Sequence, residues 1–241
     1  VLIVLFIAPL ALRAQEDNDV LAVVNGSNNF AQNLYGRIAK EGGNLFCSPY
    51  SISSALAMTY AGARGKTAEQ MAAVLGFTLP ADKLNPAMAE LMGQFNAKDK
   101  SYQLLVANAL WGQTGYKFDP DFLAATEKYY GAGFKEVDYK DNANREAARR
   151  EINAWTAKQT ADKITDLIGP NVLTELTRLV LTNAIYFKGK WQSQFKKEAT
   201  KEMLFAVTGT EKKPVPMMHQ TSKFGYAGDE NVQVLEMPYA G

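Results

Sequence analysis

The sequence predicts an α+β domain built round a large central β-sheet, and three observations carry that prediction. Capped helical stretches crowd the first half of the chain, and short β segments dominate its end. Between them, two long apolar runs have the composition of strands buried on both faces. Helices and strands mix without strict βαβ alternation, and no internal repeat or low-complexity linker interrupts them. The 241 residues, 47% of them hydrophobic, suffice for one substantial core, so a single domain over residues 15–241 is expected.

The chain opens on Val1 to Leu12, wholly apolar, followed by Arg13, Ala14 and the polar stretch Gln15 to Asp19. The run is too short for a membrane-spanning helix, which takes ~20 apolar residues, and it reads as the h-region of a secretory signal. Residues 1–14 are therefore expected to be a signal-peptide remnant, and the protein to be secreted, extracellular or periplasmic. Phe30, Leu34 and Ile38 share one helical face, with Gly42 and Gly43 as its stop. Asn44 to Ser48 is expected to be a short apolar strand that buries Cys47. Pro49 cannot continue a ladder and begins the next helix, Ser51 to Met58, with Ile52, Leu56 and Thr59 toward the core. Thr67 and Gln70 form a capping box ahead of Met71, Val74 and Leu75, and Gly76 terminates that helix. Asp82 to Phe95 is amphipathic.

Gln103 to Trp111 is apolar on both alternating faces, as a strand covered above and below must be. Asp119 and Pro120 pair an N-cap with a first helical position, and Phe122 and Thr126 carry that helix to Tyr130, where Gly131 and Gly133 end it. A strand from Phe134 to Tyr139 precedes a long charged helix, Asn144 to about Lys163, whose inward stripe is Ala148, Ile152, Trp155 and Gln159, the rest being solvated. Thr177 to Phe187 is the second doubly covered strand, with Leu179, Leu181, Asn183 and Ile185 on one face. Met203 to Val207, Pro214 to Met218, Lys223 to Tyr226 and Val232 to Pro238 read as short β segments between turns.

Composition excludes several function classes. With 26 Lys+Arg against 25 Asp+Glu, the formal net charge of +1 recruits neither nucleic acid nor an anionic membrane. One cysteine, Cys47, and one histidine, His219, leave no internal disulfide and no zinc ligand set. Gly65-Lys66-Thr67 imitates the end of a phosphate loop, but Tyr60 stands where its first glycine belongs and a helix precedes it instead of a strand. Cys47 and His219 as nucleophile and base are set aside, because a thiol between Phe46 and Ser48 in an apolar strand is inert and a serine triad would have one histidine to draw on. No catalytic residue, cofactor or metal site is assigned, and the chain is not read as an enzyme. What remains is a polar constellation in apolar surroundings: Ser48 and Ser51 flanking Pro49, and Asn183 within a buried strand. Such groups require hydrogen-bond partners, and a hydroxyl–amide network joining helix to sheet would supply them.

Those residues lie where the chain resembles the serpins. Asn44 to Met58 (NLFCSPYSISSALAM) is similar to the family's strand-to-second-helix segment, and Gly62 to Met71 (GARGKTAEQM) to the stretch after that helix. Leu179 to Trp191 (LVLTNAIYFKGKW) resembles the third strand of the main sheet, and the similarity runs from about Val20 to Gly241. The resemblance implies that Ser48, Ser51 and Asn183 form the shutter beneath the sheet and that Trp191 lies at the breach, where loop insertion begins. It further implies a serpin fold incomplete at the carboxy terminus, with the reactive loop absent from this chain, as is the histidine that a later strand contributes to the shutter. The expected activity of the complete protein is inhibition of a serine protease, which cleaves the loop and is trapped as the loop inserts into the sheet. A non-inhibitory serpin acting as carrier, chaperone or storage protein is the alternative. The segment matching the helix that binds heparin in some serpins has only Lys83 and Lys98 nearby, so no strong heparin site is expected.

Overall fold

The computed structural model describes residues 8–41, 43–96, 102–207 and 210–240, with side chains from Asn18 onward. In chain order the elements are α1 (Ala8–Ile38), α2 (Pro49–Gly62), α3 (Gly65–Leu75), α4 (Ala81–Phe95), β1 (Gln103–Gln113), α5 (Pro120–Tyr130), β2 (Gly133–Val137), α6 (Asn142–Gln159), β3 (Leu179–Lys188), β4 (Lys201–Ala206), β5 (Lys212–Met217), β6 (Gly225–Gly228) and β7 (Gln233–Glu236). They fall into two compact units, Val1–Ala97 with Leu104–Tyr186, and Lys98–Gln103 with Phe187–Gly241. The mixed α and β content agrees with the sequence reading.

In the larger unit a three-stranded sheet has the order β2-β1-β3. β2 runs parallel to β1, in register from Ala109 opposite Gly133 to Gln113 opposite Val137. Alternate residues of β1 enter different cores, as the two-residue period of a strand requires. Leu110, fully buried, joins Met58 of α2, Leu84 and Met88 of α4 and Tyr130 of α5. Ala109 and Trp111 join Val137, Ala148 and Ile152 on the opposite side, where α6 lies. Each large apolar side chain so buried stabilises the fold by about 1.5–3 kcal/mol. The expectation of a doubly covered strand is met.

Short-range signals are realised where the required groups lie close in sequence. Asp119 Oδ1 accepts from the N–H groups of Asp121 (2.8 Å) and Phe122 (3.4 Å), capping α5 as expected. Gly76 and Gly131 end α3 and α5 in the left-handed region, with φ of 71° and 59°.

Other expectations are corrected. Asn44 to Ser48 forms no strand. Among the described residues no strand lies beside it, and a strand exists only through its ladder. Cys47 is consequently exposed, not buried, and Phe46 projects fully into solvent. The capping box at Thr67 does not form: α3 begins at Gly65, and Arg64 occupies the cap position without a side-chain bond. On α2 the core face is rotated, so that Ser53, Ser54, Ala57 and Met58 are buried while Ile52 and Leu56 stand partly in solvent. That helix is apolar nearly all round, and its small residues permit the closest approach. α1 runs unbroken through residues 8–14, and α6 spans Asn142–Gln159 behind an Asp141 cap, two residues earlier than its charge pattern suggests. Gly42 and Lys98 lie outside the described residues, whereas Gly43 adopts φ of 81°. In the smaller unit, β4 pairs antiparallel with β5 and β6 with β7.

Two positions in the larger unit test this packing. A Cβ on Gly26 of α1 would come within 2.2 Å of the Gly76 carbonyl oxygen, so Gly26→Ala should destabilise the protein by about 1–3 kcal/mol. Ser53 Oγ is fully buried and meets no partner, so Ser53→Ala should leave stability unchanged or raise it. Denaturant unfolding of both variants checks the pair, and a stability loss in Ser53→Ala would contradict this packing.

Candidate functional site

The amino end of α2 is built by Ser48, whose Oγ accepts from the Ser51 backbone N–H at 3.3 Å, with Pro49 at the first helical position. This cap aims Ser51 at the sheet, where its hydroxyl donates to Asn183 Oδ1 of β3. Asn183 Nδ2 in turn donates to Asn108 Oδ1 of β1 at 2.7 Å. Asn108 Nδ2 donates to the Tyr130 carbonyl at the end of α5 (2.9 Å) and reaches Met92 Sδ of α4 at 3.5 Å. Tyr130 closes the chain of contacts by donating its hydroxyl to Asn85 Oδ1 of α4 at 2.9 Å. Burial, with a smaller contribution from Tyr50, pushes the Tyr130 phenol well above the ordinary tyrosine range, so it stays a proton donor.

The structure thus brings together the three sequence-predicted residues and arranges them differently from expectation. Ser51 alone contacts Asn183 while Ser48 caps the helix, and all three are half-buried. The fully enclosed members are Asn85, Asn108 and Tyr130, which sequence reasoning missed. The signal for Asn108 was available: an amide inside the apolar run Gln103 to Trp111 poses the same problem as Asn183 in its own strand.

On the opposite face of the sheet, Trp111 Nε1 donates to Thr182 Oγ1 at 3.0 Å, and Trp155 of α6 meets the Trp111 ring edge-on at 6.2 Å. Beside them Asp138 accepts from Gln113 Nε2 (3.0 Å), Asn144 Nδ2 (3.1 Å) and the Lys140 N–H (3.0 Å). These donors hold its pKa down, from 3.8 to about 2.

In the smaller unit Trp191 stacks on Tyr239, with ring centroids 4.4 Å apart and planes at 11°, and Phe187 meets Tyr239 edge-on at 4.9 Å. The backbone joins the two segments through Gln192 N–H to Pro238 O and Ala240 N–H to Lys190 O. Gly189 is required between them, since a Cβ there would lie 2.7 Å from the Tyr239 ring. His219 is exposed just after β5. Among the described residues no group of three or more His, Cys, Asp or Glu could hold a metal ion.

Comparison of this chain with known proteins shows that residues 25–241 match the family described as serpin, serine protease inhibitor. The chain belongs to the serpin family. It is 43% identical over 219 residues to the leukocyte elastase inhibitor of Bos taurus, covering 89% of this chain and 57% of that one. To serpin B6 of Pongo abelii it is 42% identical over 228 residues, covering 92% and 60%. The solved structure of ovalbumin from emu (Dromaius novaehollandiae) superposes with a TM-score of 0.86 at 29% identity, over 91% of this chain and 60% of that one. The chain therefore spans less than two thirds of the length of these serpins. The family's description names inhibition of serine proteases, not catalysis.

The expectation of secretion is corrected. The leukocyte elastase inhibitors and serpin B6 are intracellular serpins without signal peptides, and relatedness to them points away from secretion. The apolar opening that suggested a signal runs, from Ala8, into the same helix as the polar residues after it. Among the described residues no helix is long and apolar enough to cross a membrane.

The side-chain networks can be tested by substitution. Asn183→Ala and Asn108→Ala in the full-length protein should each cost about 1–3 kcal/mol, because each strands a polar partner. Their double mutant should cost less than the sum by about 0.5–3 kcal/mol, and strictly additive losses in denaturant unfolding would show that the two amides do not act together. Asp138 has a depressed folded-state pKa, so its stabilisation is fully present above the ordinary carboxylate range and is lost as pH falls from about 4 through about 2. Wild type should therefore lose more stability than Asp138→Asn across that window in pH-dependent thermal melts, and parallel curves would contradict the assignment.

Proposed function

We propose that the full-length protein carrying this chain inhibits a serine protease as a suicide substrate: the protease cleaves a reactive loop, which then enters the central sheet beside β3 and traps the enzyme. The observation that supports this reading most directly is the placement of Asn183. It lies on the terminal strand of the β2-β1-β3 sheet, tethered from below by Ser51 and from the side by Asn108. A strand so held keeps its outer edge in position for a neighbour while the bonds beneath it resist premature movement. In this reading Ser48, Ser51 and Asn183 serve as the shutter, with Asn108 as a further member, and the Trp191–Tyr239 stack serves as the breach. Residues 15–241 form part of the serpin domain, and an elastase is the first target to test, because relatives at 40–43% identity are named leukocyte elastase inhibitor.

The second reading, a non-inhibitory serpin, is favoured by the match to emu ovalbumin, since the structural neighbours include non-inhibitory serpins. One experiment separates the two. The full-length product is incubated with a panel of serine proteases that includes an elastase, and complexes surviving denaturing electrophoresis are sought. The inhibitor reading expects such a complex with at least one protease from the full-length product and none from residues 1–241 alone. Cleavage of the full-length product without any stable complex supports the non-inhibitory reading, and a covalent complex formed by residues 1–241 overturns the proposed mechanism.

A further inference from the structure

We propose that the smaller unit carries a binding site for the phosphate group of a small polar phosphate monoester, in a cleft between the segment after β3 and the segment after β5. The cleft has a volume of about 450 Å³, and Ser193, Lys196, His219, Gln220 and Ser222 contribute to its walls. That volume is within the range of small-molecule sites, and nearly all of the residues lining it carry polar groups, which favours a polar occupant.

The polarity is also one-sided. The ionisable groups in the lining are Lys196 and His219, each of which is cationic or neutral, and neither Asp nor Glu lines the cleft. No described carboxylate forms an ion pair with Lys196, whereas Lys213 of the same unit is paired with Glu211. Ser193 Oγ and Ser222 Oγ lie 3.3 Å apart, so one hydroxyl donates to the other and the second proton remains available for a ligand.

A cation and a free hydroxyl proton, with no carboxylate in the lining, form a surplus of donors. The complement is a group that only accepts, carries negative charge and offers several oxygens at once. A phosphate monoester, with a charge of about −1.5 to −2 and three acceptor oxygens, meets all three conditions. The room beyond one phosphate group accommodates the small polar body of the ester.

The site is tested by NMR on the full-length protein, with the His219 imidazole resonance assigned by its loss in His219→Gln. Inorganic phosphate and glycerol 3-phosphate are titrated at constant ionic strength against chloride. A saturable shift with either phosphate, absent with chloride, is expected. Lys196→Gln should weaken binding by about tenfold, as loss of a charge-assisted contact does, with the circular dichroism spectrum unchanged. Lys212→Gln, outside the cleft, should leave affinity as it was. A response that is linear and equal for chloride overturns the proposal. So does a Lys212→Gln effect as large as that of Lys196→Gln, which would mark diffuse surface attraction, or a Lys196→Gln variant that binds like wild type.

Discussion

An asparagine at residue 108 stands in a strand that both faces of the sheet close off from water, so its amide must find its partners within the protein. Much of the larger unit is arranged round that requirement. The amide nitrogen takes the last turn of α5, through the Tyr130 carbonyl, and the amide oxygen takes β3, through Asn183. Asn183 brings in α2 through Ser51, and Tyr130 brings in α4 through Asn85. A wholly apolar β1 would fill the same space, but nothing would penalise a shift in its pairing. With Asn108 in place, a one-residue slip turns a hydrogen-bonded amide to the wrong face and leaves its neighbours unpaired, so the network specifies register as well as adding stability.

The other face of the same strand uses the intervening residues. Trp111 reaches across to Thr182 of β3, whose hydroxyl also donates to the Ala109 carbonyl at 3.3 Å, and Tyr139 returns its hydroxyl to the Trp111 carbonyl at 3.1 Å. α6 rests on this layer through Trp155 and Ile152. The segment beyond α6 is fastened back onto it by Asn153, which donates to the Ile168 carbonyl and accepts from the Ile168 N–H. β1 and β3 are thus joined by side chains above and below as well as by their ladder. Under the proposed action, a pair so joined moves as one piece when the sheet opens.

Much of the fold was legible in the sequence, and the parts that were not share a cause. The Asp119 cap, the left-handed Gly76 and Gly131, the amphipathic α4 and the two doubly covered strands depend on backbone groups a few residues away or on a short periodic pattern. These can be read from the residues alone, as can the family and the presence of Ser51 and Asn183 in one polar group. Long-range packing settles that Asn44 to Ser48 pairs with no described strand, that α2 buries Ser53 and Ala57 in preference to Ile52 and Leu56, and that Asn108 is the partner of Asn183. A cap is satisfied within one turn of its own helix, so its residues announce it. The partner of Asn183 lies 75 positions away, the strand at 44–48 required a neighbour, and an evenly apolar helix turns whichever face its surroundings can approach most closely.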